Sequence, residues 1–169
     1  MNGVIKDITT NIVAWGGGQR PQFNSTFASE YGGYAVGAIV AMANGTGEWI
    51  NTVSGNTNNP DTAAAATSGW FALTRSGQNS ISVTGASTIL TAVQAACNIL
   101  SLTGSVGTTV QLPPWPGMWL VYNNITAGSV AIESTGSGSF LLPVGIFTIV
   151  IVSQGGNCYG TLSQPSFNT

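Results

Sequence analysis

The chain has 169 residues, of which three are basic, five acidic and none histidine, for a formal net charge of −2. Charged residues are 5 % of the total, against about 25 % in an ordinary soluble domain, so there is no cluster of Lys and Arg to hold nucleic acid or anionic lipid. The missing histidine excludes Ser-His-Asp and Cys-His catalysis and removes the commonest metal ligand. Apolar residues at 43 % speak for a packed core rather than disorder. The polar remainder is largely Ser, Thr, Asn and Gly, and a surface made of these does little to repel its own copies.

Residues 1–30 lack sustained periodicity. Ile5, Ile8, Ile12, Val13 and Trp15 lead into Gly16-Gly17-Gly18 and then Arg20-Pro21, which reads as an extended arm jointed at the glycines. The glycine triplet is not a phosphate loop, because no Lys-Ser/Thr follows it. With Asp7 early and no apolar stretch behind it, this end is not expected to be a signal peptide.

From Gly33 the pattern changes. Ala38-Ile39-Val40-Ala41-Met42 predicts a strand, Asn44-Gly45-Thr46-Gly47 a hairpin turn, and Glu48-Trp49-Ile50-Asn51-Thr52-Val53 the returning strand. A polar loop over 54–61 and an alanine-rich tract over 62–67, too short for a stable helix alone, precede a strand at Gly69-Trp70-Phe71-Ala72-Leu73. Beyond Ser80 the chain alternates: Ile81 and Val83 against Ser80, Ser82 and Thr84; Val110 and Leu112 against Thr109 and Gln111; Val130 and Ile132 against Ser129 and Glu133. Thr91, followed three residues later by Gln94, predicts the capping box of a short helix. Residues 99–103, 119–122, 146–152 and 158–162 continue the strands, and Pro113-Pro114-Trp115-Pro116-Gly117 is a rigid turn.

The run 146–152 is unlike the others. Ile146, Val150 and Val152 fall on one face, Phe147, Ile149 and Ile151 on the other, so both faces are apolar where an antiparallel sheet normally leaves one wet. Either the strand is central between two layers of its own chain, or a neighbouring subunit supplies the second cover. The apolar stretch 140–152 is too short, and too broken by Pro143 and Gly145, for a spanning helix, so no membrane insertion is expected. Cys97 and Cys158 read as buried thiols, with a single disulfide between them left open. The expected fold class is all-β: short antiparallel strands in a sandwich- or prism-like module, divided as arm 1–30, first β module 31–78 and second β module 79–169.

Two stretches carry a family resemblance. Gly33-Tyr34-Ala35-Val36-Gly37-Ala38-Ile39-Val40, continuing through Gly45-Thr46-Gly47-Glu48-Trp49-Ile50-Asn51-Thr52-Val53 to Asn59-Pro60-Asp61 and Gly69-Trp70, resembles a module of tailed-phage tail fibre proteins. Leu90-Thr91-Ala92-Val93-Gln94-Ala95-Ala96, with Leu102-Thr103-Gly104, Val110-Gln111-Leu112-Pro113, Trp119-Leu120-Val121-Tyr122-Asn123-Asn124 and Pro143-Val144-Gly145, is similar to a second β-rich module of phage tail and fibre proteins. The resemblance implies a non-enzymatic virion protein of the tail, present in host cytoplasm during assembly and forming a homotrimer. Residues 1–30 would join it to other tail proteins. The resemblance leaves open a short fibre, adaptor or assembly piece, with a contribution to host attachment.

Few residues remain for chemistry. Glycoside cleavage needs two carboxyls about 5–9.5 Å apart, and Glu48 with Asp61 is the best pair; a solvated charge and a turn aspartate is the preferred reading, so no enzyme is expected. Asn56 to Asp61 lacks the acid density of a calcium loop, and neither metal nor cofactor is expected. The alternative function is adhesion to a host-surface glycan, through aromatic faces and amide groups. Trp115, Tyr122, Asn123, Asn124 and Tyr159 are its candidate contacts, while Trp49, Trp70 and Trp119 are expected in the core.

Overall fold

Where apolar and polar residues alternate, the backbone is extended. The computed structural model describes residues 9, 12–65, 67–105, 109–135 and 138–161, and among these it holds twelve strands in three sheets. The chain is thus β-rich, as its alternation predicts.

The first sheet is β1 (Ile39–Ala41), β2 (Glu48–Asn51) and β3 (Trp70–Ala72), antiparallel and in that order. Its first hairpin closes where Met42 N donates to Gly47 O (2.9 Å). In the expected arm, residues 1–8, 10 and 11 lie outside the described residues, and residues 12–16 are helical. From Arg20 onward the chain is fastened to this sheet rather than extended away from it. Arg20 Nε meets Glu48 Oε1 at 2.9 Å, and Ala41 N donates to Pro21 O at 2.8 Å. Helix α1 (Ser25–Glu30), which periodicity did not reveal, is capped by Asn24, whose Oδ1 accepts from Phe27 N. Phe23 packs on Tyr34 and Trp70.

The other two sheets are built differently. One runs β12-β11-β8-β6-β4 and the other β10-β9-β7-β5, with β4 (Gln78–Ser82), β5 (Ser87–Ile89), β6 (Ile99–Gly104), β7 (Thr109–Gln111), β8 (Gly117–Ile125), β9 (Ser129–Glu133), β10 (Ser139–Pro143), β11 (Phe147–Val152) and β12 (Cys158–Thr161). The expectation of antiparallel strands throughout is corrected here: β4, β6 and β8 pair parallel, as do β5, β7 and β9. The chain crosses to the opposite sheet after each strand, so it re-enters the first sheet one coil later, pointing the same way. Gln78, Ile99 and Leu120 therefore stand side by side, 21 residues apart each time. Three final strands reverse the pattern, β10 against β9, β11 against β8 and β12 against β11. At that end Phe140 lies so close to Gly160 that a Cβ there would stand 2.5 Å from its ring. Helix α2 (Ala92–Ala95) carries the capping box foreseen, with Thr91 Oγ1 accepting from Gln94 N and Gln94 Oε1 accepting from Thr91 N. The residue Leu162, expected in the last strand, lies outside the described residues.

One buried cluster runs through both modules, from Val40, Trp49 and Trp70 to Trp119, Val130 and Val150. Its polar members are neutral amides and hydroxyls. Asn51 Nδ2 faces the carbonyls of Tyr34 (2.9 Å), Ala35 (2.8 Å) and Val53 (2.6 Å), while its Oδ1 accepts from Asn56 Nδ2 (2.8 Å). Gly33, at φ 91°, lies so tightly on the backbone of Gly55 that no side chain fits between them. Asn51 thus ties the 33–35 and 53–56 segments to the sheet. Asn51→Ala takes one donor from each of these carbonyls and one acceptor from the Asn56 amide in a dry site, leaving Tyr34 O with Asn56 N, Ala35 O with Ala38 N and Asn56 Nδ2 with Ser68 O. We expect it to lower the unfolding free energy by about 3 kcal/mol, measured by urea denaturation; a loss below about 0.5 kcal/mol would contradict this role.

Candidate functional site

The glycan candidates separate into two groups. Trp115 is 1 % exposed and lies in the seam between the modules, edge-on to Trp49 (6.1 Å) and tilted to Phe71 (6.0 Å). The proline turn that carries it is folded inward, so Trp115 presents no ring to a ligand and its place among surface contacts is corrected. The seam also takes Arg75, whose guanidinium sits 4.2 Å from the Trp119 ring centre and 5.8 Å from that of Trp115. Nη2 of the same side chain donates to Pro116 O. Burial pulls the Arg75 pKa below its ordinary value, and the ring faces supply the compensating attraction. Asn123 is likewise buried: its Nδ2 donates to Leu142 O (2.8 Å), tying β8 to the opposite sheet. It too is removed from the surface set. Trp49, Trp70 and Trp119 are core residues, as expected.

The acids are engaged in the fold. Asp61 Oδ1 accepts from Trp49 Nε1 (3.0 Å) and Ala43 N (3.2 Å), anchoring the loop to β2. Glu48 pairs with Arg20. Among the described residues no three His, Cys, Asp or Glu side chains gather where they could hold a metal ion. No helix among them is long and apolar enough to cross a membrane.

Tyr122, Asn124 and Tyr159 do reach the surface side of one sheet. Alternation along β8 and β11 sends Trp119, Val121, Val150 and Val152 into the core and Met118, Leu120, Phe147, Ile149 and Ile151 out of the five-stranded sheet. Register then brings the outward residues together. Phe147 stands beside Tyr122, their rings stacked at 4.1 Å and 10°; Ile149 is beside Leu120; and Ile151 lies between Met118 and Tyr159. On β6 the same face continues apolar at Ile99, beside Leu120, and then turns polar through Ser101 and Thr103, as it does on β4 through Ser80 and Ser82. The double apolar face foreseen for 146–152 is therefore real, with one side in the chain's own core and the other bare. Sequence reasoning passed over its neighbour. Met118-Trp119-Leu120-Val121-Tyr122 is also apolar at every position, the same signal in the strand that lies alongside. Aliphatic side chains surround the rings here, with few amides or hydroxyls within the patch, a composition suited to protein rather than to sugar.

The two cysteines are free and buried. Cys97 Sγ lies against the carbonyls of Gln94 (3.4 Å) and Ile99 (3.2 Å). Burial, opposed in part by nearby hydrogen bonds and Arg75, raises its pKa. Cys158 is pushed up to about 11, chiefly by burial and secondarily by Glu133. Set against known proteins, the chain matches no family model, no curated protein and no solved structure.

Two outcomes follow from these placements. Trp115→Ala opens a cavity in the seam and should cost about 3–5 kcal/mol of stability; a well-folded variant of unchanged melting temperature would return Trp115 to the surface. The thiols stay protonated in the folded chain above the ordinary value of 9.0 at which they ionise once exposed. The unfolded state then binds fewer protons than the folded one, so stability is full below pH 9 and falls as pH rises from there toward 11. Denaturation profiles of the wild type and of a Cys97→Ala/Cys158→Ala variant, compared over that range, should diverge; parallel profiles would contradict it.

Proposed function

We propose that the chain is a structural, non-enzymatic component of a tailed-phage tail, a tail-fibre or tail-associated piece that assembles as a homotrimer and sits in the virion. The observation that carries this reading is the bare apolar face of the five-stranded sheet, an arrangement that makes sense in a protein whose normal state is associated. The sequence resemblance supports it. The residues that carry the first stretch, Gly33, Asn51, Asp61, Gly69 and Trp70, are those that fasten the first module from within. A motif made of such residues marks a shared fold rather than a shared active site. Low charge agrees too, because surfaces buried between copies need little of it. Attachment to other tail proteins belongs, in this reading, to the N-terminal part of 1–30. Host-glycan adhesion is the weaker alternative, since Trp115 and Asn123 are buried.

Sedimentation of the purified full chain should give a single species of three times 17.2 kDa at micromolar concentration. Deleting residues 1–18 should leave that species intact and abolish incorporation into particles. A wild-type chain that sediments singly at micromolar concentration would overturn the homotrimer, and a deletion that is still incorporated would overturn the assigned attachment.

A further inference from the structure

We infer that the outer face of β8, β11 and β12 is the surface on which copies of this chain meet, with Phe147, Ile149, Ile151, Leu120, Met118 and Tyr159 at its centre. This rests on the self-associating reading above and goes beyond it by assigning the interface to one face of one sheet.

The first argument is area. These six side chains are 36–62 % exposed, and at ~200 Å² for a large side chain they leave roughly 600 Å² of contiguous apolar surface. That is the upper end of the largest patch on an ordinary monomer, about 300–600 Å². It also supplies most of the ~800 Å² per partner that a stable protein interface buries, and the polar margin at Thr161, Asn124 and Thr103 brings the rest. The second argument is contrast within the molecule. The four-stranded sheet also has an outer face, but there Leu141 and Ile89 stand among Ser87, Thr109, Gln111 and Glu133, an ordinary solvated mixture. The third is charge. Every residue that register places on the outer face of β8, β11 and β12 is uncharged, so the face is compatible with itself and carries nothing that a second copy would leave buried and unpaired. In a homotrimer each patch meets parts of the patches of its two neighbours around the axis, and these match it in size and chemistry.

The centre of such a patch is where binding energy concentrates. A lysine at Phe147 or Ile149 places an unpaired charge there, while in the single chain the same lysine points to water and the fold is kept. Each substitution should weaken association by roughly 30-fold or more. In sedimentation, the double variant F147K/I149K should run as single chains at a concentration where the wild type is assembled, and Leu141→Lys on the other sheet should stay assembled. A thiol readout guards against a variant that does not fold. Because Cys97 and Cys158 are buried, Ile151→Cys in the assembled protein should resist a thiol reagent that modifies Leu141→Cys readily. An assembled wild type with F147K/I149K still assembled, or with Ile151→Cys as reactive as Leu141→Cys, overturns this assignment and leaves the homotrimer standing. A wild type that runs singly overturns both. Glycan binding that F147K/I149K abolishes without changing sedimentation overturns the assignment in favour of a sugar site.

Discussion

A strand that is apolar on both sides has to be covered twice, and β11 finds one cover in its own chain. Its even positions, Val150 and Val152, close the space between the two large sheets; its odd positions, Phe147, Ile149 and Ile151, stand out from them. The coil arrangement produces this asymmetry. Strands alternate between two sheets, so inward side chains enter one shared core, and among the described residues no third layer meets the outward ones. A solvated β-sandwich tolerates that by making outward positions polar, as the four-stranded sheet does. The five-stranded sheet follows the rule at β4 and abandons it at β8, β11 and β12.

The interior obeys a related constraint. With so few charges available, the buried amides Asn51, Asn56 and Asn123 find neutral partners and join separate segments of the chain, while the Trp49 indole is matched by Asp61. Asn51 and Asn56 hold the loops around the first sheet, and Asn123 crosses from β8 to Leu142. The half-buried cation Arg75 rests on tryptophan rather than on a carboxylate. A neutral hydrogen bond in a dry site is worth little net but expensive to break, so these amides fix the geometry more than they raise the stability. They explain why a chain made of short strands keeps one arrangement.

Much of this was legible in the sequence, and the failures have physical causes. Alternation located the strands near Ile81, Val110 and Val130, an unbroken apolar run located the one near Val150, and the Thr91–Gln94 spacing located α2, because these signals are local. Strand direction is not local. Antiparallel and parallel pairs read alike over five residues, and the 21-residue offset linking Gln78, Ile99 and Leu120 carries no repeated motif to betray it. Helix α1 is one turn and a half with a single buried residue, Ala28, too little for a periodic signal. Trp115 misled because a proline-rich turn is ordinarily exposed; here the turn spans the seam between modules and its one large side chain fills it. For the outer face, one strand of the pair was recognised and its partner Met118-Trp119-Leu120-Val121-Tyr122 was not, since its Trp119 and Tyr122 were weighed singly, one as core and the other as a surface contact, and not as part of one apolar run.

If the outer face is where copies meet, as proposed, its lack of charge bears on how they would find one another as well as on whether they would stay together. Complementary charge steers encounters and rejects wrong partners, raising association above the about 10⁵–10⁶ M⁻¹s⁻¹ of neutral surfaces and making it sensitive to salt. A neutral face forgoes both effects. Discrimination must then come from shape: the stacked Tyr122–Phe147 pair, the ridge of Leu120 and Ile149 beside it, and the polar border at Ser101 and Thr103 that marks where the apolar surface ends. Shape is a sufficient guide when the partner is an identical chain made in the same place at the same time, and a poor one when a rare partner must be picked out of a crowd. The chemistry of the face therefore fits self-assembly better than selective capture of something else.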